Sequence, residues 1–189
     1  MTTFNKRIFD MPGMRAATRD VVRHMNDLRS AAREKRVSKA FSERIMLAVT
    51  AVNGCRYCAY AHTRMALQAG LSDDDVQRIL SGDLDDIPAE EAVALAFAQH
   101  YAESAGQPDP EAWARLVETY GEAQARDIMA YIRMIMYGNL LGNTFDALLC
   151  RFKGQPAPGS SLGQEMGVLL GSVVYLPVEL IRRPWRSVG

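Results

Sequence analysis

The chain has few cysteines and no excess of basic residues, so it lacks two features that are typical of specialised classes of protein. Its 189 residues include three cysteines, which are too few for the disulfide framework of a small secreted domain. Lys and Arg together number 22, as do Asp and Glu, so the chain has no basic surplus for neutralising phosphate groups. The composition therefore excludes a disulfide scaffold, and we expect no nucleic acid partner.

A secretory signal pattern is also missing from the sequence, because the opening residues 1–7 lead into no apolar stretch. We therefore expect a cytoplasmic protein. In that reducing compartment a close pair of cysteines is usually catalytic, redox-sensing or metal-binding. A hydrophobic content of 48% with 23% charged residues is ordinary for a globular domain with a full core.

Strand-like alternation is scarce, and nearly every segment repeats its apolar residues with the period of a helix. The sequence thus predicts an all-α bundle of about seven to eight helices. Asn53-Gly54 is typical of a helix stop and restart, with Gly54 as the left-handed end of one helix and Asn53 as the N-cap of the next. The predicted helices cover about 14–33, 38–52, 55–70, a short stretch from Ser72, 88–104, 109–121 and 123–152.

The last part of the chain differs in composition from the rest. We divide the sequence into a helical domain at 1–152, a linker at 153–161 and an apolar tail at 162–189. The run 166–181 is nearly all apolar, but with Pro177 and Glu179 it is shorter than the roughly 20 residues that span a bilayer. Packing on this protein or a neighbouring subunit is favoured over an interfacial membrane helix with basic residues at 182–186, or a disordered extension.

Two thiols, an imidazole and a carboxylate lie within twenty residues of one another. If the segment after Gly54 is helical, then Cys55, Cys58 and His62 fall on one face, and Glu43 lies one helix upstream. In a first helical turn, the free N–H groups and the positive end of the helix dipole favour a thiolate at Cys55. The pattern points to dithiol redox chemistry.

Other meanings of the Cys-x-x-Cys sequence fit less well. Zinc needs four ligands, and only a strained Glu43 could complete a set with Cys55, Cys58 and His62, so we predict no metal and no cofactor. Covalent haem attachment requires His directly after the second cysteine, where this chain has Ala59. A thioredoxin-like fold would need strands around the motif. Two inert buried cysteines are a further alternative, but the presence of Glu43 argues against it.

These residues also carry a resemblance to a known family. The chain has Glu43, eleven further residues, Cys55, two residues, Cys58, three residues and His62, followed by Thr63-Arg64 and Ala69-Gly70-Leu71-Ser72. This pattern resembles the alkylhydroperoxidase D-like branch of the carboxymuconolactone decarboxylase superfamily. The similarity is densest over about 42–80, and the segment 142–148 resembles a later Asn-containing segment of the family.

The resemblance implies an all-helical fold that assembles into trimers or rings of dimers, with a cysteine pair cycling between dithiol and disulfide. By position, Cys58 is similar to the peroxide-reactive thiol that passes through a sulfenic acid. Cys55 is similar to the partner that donates a proton and then closes the disulfide, and Glu43 and His62 to the proton-relay pair. Tyr57 stands where the best-known peroxidase of the family has a histidine.

The sequence therefore predicts a thiol-dependent hydroperoxide reductase with a small-molecule peroxide as substrate. An external thiol would act as its reductant, and we expect a homo-oligomer, trimer or hexamer. Two alternatives are a lyase of the carboxymuconolactone decarboxylase type, acting on a cyclic lactone acid, and a non-enzymatic redox sensor docked to a membrane by the tail. The intact dithiol motif favours the reductase over the lyase, and the tail is the feature that favours the sensor.

Overall fold

The computed structural model describes residues 4–85 and 87–182, and within these ranges it contains eight α helices and no strand. The helices are α1 (Met11–Arg23), α2 (Met25–Glu34), α3 (Lys39–Asn53), α4 (Arg56–Gln68), α5 (Asp73–Ser81), α6 (Ala89–Glu103), α7 (Pro110–Phe152) and α8 (Leu162–Arg182). The predicted all-α fold is confirmed.

Helix α3 forms the centre of the bundle. It contacts α4, α5, α6 and α7, and it is apolar on nearly all sides, as expected of a helix surrounded by others. Its N-terminus is capped by the Ser38 hydroxyl, which accepts a hydrogen bond from the N–H of Phe41 at 3.0 Å. Because α3 is held on every side, the Glu43 side chain in its second turn is buried in a fixed place.

Two predicted boundaries differ from those observed. The single helix predicted at 14–33 is instead α1 and α2, which are separated at His24 (φ −96°, ψ 13°), and there a ring nitrogen of His24 lies 2.9 Å from the carbonyl oxygen of Asp20. The division predicted at Gly121 is present as a kink inside α7, where Gly121 has φ 73° and ψ 159°. Glycine adopts that backbone conformation without strain, whereas residues with a Cβ rarely do.

The apolar tail forms a helix that extends beyond the apolar run 166–181, since α8 begins at Leu162 and continues through Pro177 to Arg182. A buried ion pair fixes its start: both carboxylate oxygens of the fully buried Glu165 accept from the Arg151 guanidinium, at 2.8 and 2.9 Å. The Ser160 hydroxyl donates to the same carboxylate at 2.6 Å. The segment 153–161 is thereby tied to both α7 and α8.

One face of α8 packs on the protein and the opposite face is exposed. Gly167 and Gly171 lie against α1, and a Cβ on Gly171 would be 3.0 Å from Cε of Met14, so the glycine spacing permits the close approach. The outward side chains include Val173, 72% exposed. By length and composition alone, α8 is the one described helix that could cross a membrane, a test that core helices of soluble proteins also pass. Most of the predicted basic segment 182–186 lies outside the described residues.

Candidate active site

The turn between α3 and α4 sets the position of the first thiol. Gly54 ends α3 in the left-handed conformation (φ 65°, ψ 27°), as predicted. The predicted N-cap at Asn53 is wrong, because Asn53 is still the last residue of α3 and the extended residue that follows Gly54 is Cys55. Cys55 itself caps α4, and its Sγ accepts a hydrogen bond from the N–H of Cys58 at 3.4 Å.

The two sulfur atoms of the motif are neighbours. Sγ of Cys58 lies 2.7 Å from Sγ of Cys55, and both residues are free thiols, as is Cys150 elsewhere on α7. A disulfide needs about 2.05 Å between its sulfurs, so a small movement would close one. Cys55 is fully buried, whereas Cys58 is partly exposed. Cys58 is thus the sulfur that a molecule from solvent can reach.

Hydrogen bonding separates the acidities of the two thiols. The two sulfurs share a hydrogen bond, which lowers the pKa of Cys55 to about 6, despite opposing desolvation and with help from backbone N–H groups and the Lys6 charge. The same bond, together with burial, raises the pKa of Cys58. The two opposite shifts favour a negative charge on the buried capping sulfur of Cys55 and a proton on Cys58.

Behind the thiols, Glu43 holds the imidazole of the site. Nδ1 of His62 lies 2.7 Å from Oε2 of the fully buried Glu43, and the Lys39 ammonium donates to Oε1. Burial alone would raise the pKa of Glu43, but the hydrogen bonds from His62 and Lys39 outweigh it and lower the pKa. Since an ionised carboxylate only accepts hydrogen bonds, Nδ1 is the donor in this contact, and Nε2 is the ring nitrogen that remains for other partners.

An apolar cavity of about 610 Å³ lies in front of Cys58. It is lined by Tyr57, Cys58, Ala61, His62, Met134, Ile135, Gly138, Leu141, Gly142, Phe145 and Leu169. At the cavity wall the rings of Tyr57 and Phe145 pack against each other, with their centroids 5.7 Å apart. No acidic residue, Lys or Arg is among these lining residues. The cavity suits a small organic molecule with an apolar body.

A larger cavity of about 850 Å³ lies between α6 and the start of α7, away from the thiols. It contains His100, but Nε2 of that ring already accepts the N–H of Asp109 at 3.0 Å. No thiol lines it. We therefore place the candidate active site at the smaller cavity, where a sulfur and an imidazole face the same space.

The structure brings together the four residues that the sequence singled out. Cys55 contacts Cys58, Glu43 contacts His62, and Cys58 and His62 line one cavity. In the described parts of the chain, no group of three or more His, Cys, Asp or Glu side chains is arranged to hold a metal ion. The arrangement can hold a thiolate, move protons and close a disulfide.

Sequence reasoning missed two contributors to the site. Lys39 lies four residues before Glu43, a spacing at which oppositely charged side chains meet on a helix, and that signal was available. Gly142 belongs to the segment resembling the family, but its role depends on contact. A Cβ on Gly142 would lie 2.7 Å from Sγ of Cys55, so the lack of a side chain lets α7 pass close to the thiols.

The family comparison agrees with this geometry. A sequence model of the carboxymuconolactone decarboxylase family matches residues 19–100, a span that contains all four candidate residues. No curated protein and no solved structure matches the chain. Members of this family are generally enzymes, and the match is consistent with the alkylhydroperoxidase D-like branch. The resemblance found in the sequence is thus confirmed at the level of the family, since residues 19–100 are similar to the carboxymuconolactone decarboxylase family.

Proposed function

We propose that this protein is a thiol-dependent reductase of organic hydroperoxides. The observation that carries the proposal is the placement of Cys58 at an apolar cavity beside His62, with Cys55 Sγ only 2.7 Å behind it. A peroxide-reducing thiol needs a route for protons and a second thiol that captures the oxidised sulfur. Each of these needs has a residue at this site.

The first step is attack by a Cys58 thiolate on the outer oxygen of the hydroperoxide. The proton shared by the two sulfurs moves onto Cys55, which leaves the negative charge on Cys58 at the cavity. The new S–O bond forms as the O–O bond breaks, so Cys58 becomes a sulfenic acid and the remainder departs as an alkoxide. Cys55 then gives its proton to the alkoxide, and an alcohol is released.

The second step closes the disulfide. Cys55, now a thiolate, attacks the Cys58 sulfur, and the S–S bond forms as the S–O bond breaks. The hydroxide that leaves becomes water with a proton from the His62 imidazolium, which the ring forms by taking up a solvent proton at Nε2. The Glu43 carboxylate stabilises that imidazolium through the 2.7 Å contact at Nδ1. An external dithiol supplies two electrons and two protons by thiol–disulfide exchange and restores the pair. The substrates of a full cycle are thus one hydroperoxide and one dithiol.

A lyase acting on a cyclic lactone acid is the second candidate, favoured by the family match itself. Its substrate is an anion, and binding sites for carboxylates usually present Arg or Lys. Among the lining residues, His62 is the one that can become a cation, and Glu43 already engages it. The apolar lining and the adjacent dithiol therefore favour peroxide chemistry.

The proposal is tested by adding one equivalent of tert-butyl hydroperoxide to the reduced full-length protein. We expect the intact mass to fall by a pair of hydrogens, and peptide mapping to find a Cys55–Cys58 disulfide with an equal amount of tert-butanol. Cys58→Ser should abolish the reaction, and Cys150→Ser is the matched control that should retain it. A main disulfide that includes Cys150, or decarboxylation of a lactone acid without peroxide turnover, would contradict the proposal.

The proposal also includes the setting in which the protein works. Regeneration by a dithiol requires a reducing compartment such as the cytoplasm. We further propose a homo-oligomer, trimer or hexamer, in which the exposed apolar face of α8 is covered by protein. Large exposed apolar patches usually mark an interface, and Leu170, Val173 and Val174 are each more than half exposed.

A further inference from the structure

Leu169 connects the C-terminal helix to the candidate active site. The other described lining residues of the Cys58 cavity come from α4 and α7, and Leu169 is the contribution of α8. Its side chain is partly buried, whereas its neighbour Leu170 points outward and is 62% exposed. Helix α8 lies beyond the span matched by the family model, which ends at residue 100. The cavity thus has a wall that the family segment does not supply.

Several contacts hold Leu169 at this wall. The Arg151–Glu165 ion pair fixes α8 one turn before it, and Val168 beside it is fully buried. Two residues after Leu169, Gly171 lies against the α1 methionines, and its Cβ position is only 3.0 Å from Cε of Met14. Anchors on both sides leave little freedom for this part of α8, so Leu169 forms a fixed part of the cavity boundary.

We propose that α8 is the outer wall of the Cys58 cavity and that Leu169 is a specificity-determining residue for organic hydroperoxides with an extended apolar group. The proposal rests on the proposed function and deepens it. The –OOH group would approach Cys58 and His62, and the apolar group would lie between Leu169 and the Tyr57–Phe145 ring pair. Hydrogen peroxide has no apolar group, so contact with Leu169 cannot favour it.

The expected effect follows from the loss of apolar contact. Leu169→Ala removes part of the wall, and a missing apolar group in a hydrophobic pocket typically changes selectivity by about 10-fold or more. We therefore expect the ratio of kcat/KM for cumene hydroperoxide to kcat/KM for hydrogen peroxide to fall about 10-fold. Leu170→Ala, at the exposed neighbouring position, is the matched control and should leave this ratio unchanged.

A second measurement does not depend on peroxide turnover. In a Cys150→Ser background, the rates at which iodoacetamide and a bulky N-aryl maleimide modify Cys58 report the width of the opening. Leu169→Ala should raise the maleimide rate relative to the iodoacetamide rate, and Leu169→Trp should lower it. Leu169→Met, which conserves volume, keeps the test valid if the alanine variant loosens α8, and it should resemble the wild type in both ratios.

The two readouts separate the inference from the function on which it rests. If reagent access depends on Leu169 but no hydroperoxide is reduced, the assignment of α8 as the cavity wall is supported and the proposed function is contradicted. If hydroperoxides are reduced but Leu169→Ala and Leu169→Trp leave both ratios at the wild-type values, the inference about α8 is overturned. A change of the same size in Leu170→Ala would overturn it as well.

Discussion

Gly142 packs so closely against the two thiols that the site has no room for a side chain at this position. A Cβ at that position would lie 2.7 Å from Sγ of Cys55 and 3.8 Å from Sγ of Cys58. Ordinary contact begins at 3.4 Å, so a methyl group is about 0.7 Å too close to the first sulfur. Cys55 is fully buried, so either its sulfur must move or α7 must withdraw from α4.

The substitution Gly142→Ala therefore combines two opposing effects. Alanine in a helix interior is favoured over glycine by about 1 kcal/mol. Overpacking of a filled site costs roughly 1–3 kcal/mol. Gly138 offers a matched control, because it lies one turn earlier on α7, lines the same cavity and has nothing within 4 Å of its Cβ position. Gly138→Ala should carry the favourable effect alone.

Two assays check this reasoning. In urea unfolding, we expect Gly142→Ala to be less stable than Gly138→Ala by about 1–3 kcal/mol. After addition of a hydroperoxide or diamide, mass spectrometry of alkylated protein should show slower Cys55–Cys58 disulfide formation in Gly142→Ala, with Gly138→Ala close to wild type. Equal stability of the two variants together with a wild-type rate of disulfide formation would refute the argument that Gly142 makes room for the thiols.

The remaining predictions concern the proton relay, pH and the tail. Glu43→Gln and His62→Ala should each lower peroxide turnover by about 100-fold or more in a folded protein, and near-normal rates would remove the relay assignment. Because folding lowers the pKa of Cys55 from 9.0 to about 6, its contribution to stability is present at pH 9 and is lost as the pH falls through 6. The raised pKa of Cys58 acts in the opposite direction above pH 9, so the urea midpoint should rise between pH 6 and 9 in wild type and lose this trend in Cys55→Ser. Glu165→Ala removes the buried carboxylate that the partly exposed Arg151 binds, so limited proteolysis should cut 153–161 faster than in wild type, and equal rates would show that the ion pair does not hold α8. Truncation after Pro158 should weaken oligomer assembly or solubility while disulfide formation remains detectable. If the full-length protein is instead a monomer that binds anionic liposomes, and the truncated protein does not bind them, membrane docking is favoured.

Much of the fold follows from local signals in the sequence. The predicted starts at Ser38 and Ser72 agree with observed caps, since each side-chain oxygen accepts a backbone N–H of its own first turn. Gly54 and Gly121 have the positive φ values that their sequence context suggested. The break at His24 was not predictable, because the apolar period continues through it and no glycine or proline marks it.

The candidate site was predictable only in the part that is local in sequence. The spacing of Cys55, Cys58 and His62 on one helix was sufficient to place them together. Glu43, one helix upstream, was included for its carboxylate, and the resemblance to the family supported that choice. The rest of the site depends on packing between distant segments, since Gly142 of α7 lies against the thiols and Leu169 of α8 lines the cavity in front of them. The period of an apolar helix says which face is buried, but it does not say against which neighbour.

Because Cys55 is buried behind Cys58, the position of the two sulfurs determines which of them an external reductant attacks. A reducing thiolate can approach the disulfide only from the cavity, so it forms its mixed disulfide with Cys58 and expels Cys55. A sulfur with a low pKa is the better leaving group in thiol–disulfide exchange. In the mixed disulfide Cys58 has no thiol hydrogen to donate, but the backbone N–H groups at the start of α4 and the Lys6 charge also lower the pKa of Cys55. The N-terminus of α4 thus stabilises the departing charge, and a reductant must have a thiol that fits the opening in front of Cys58.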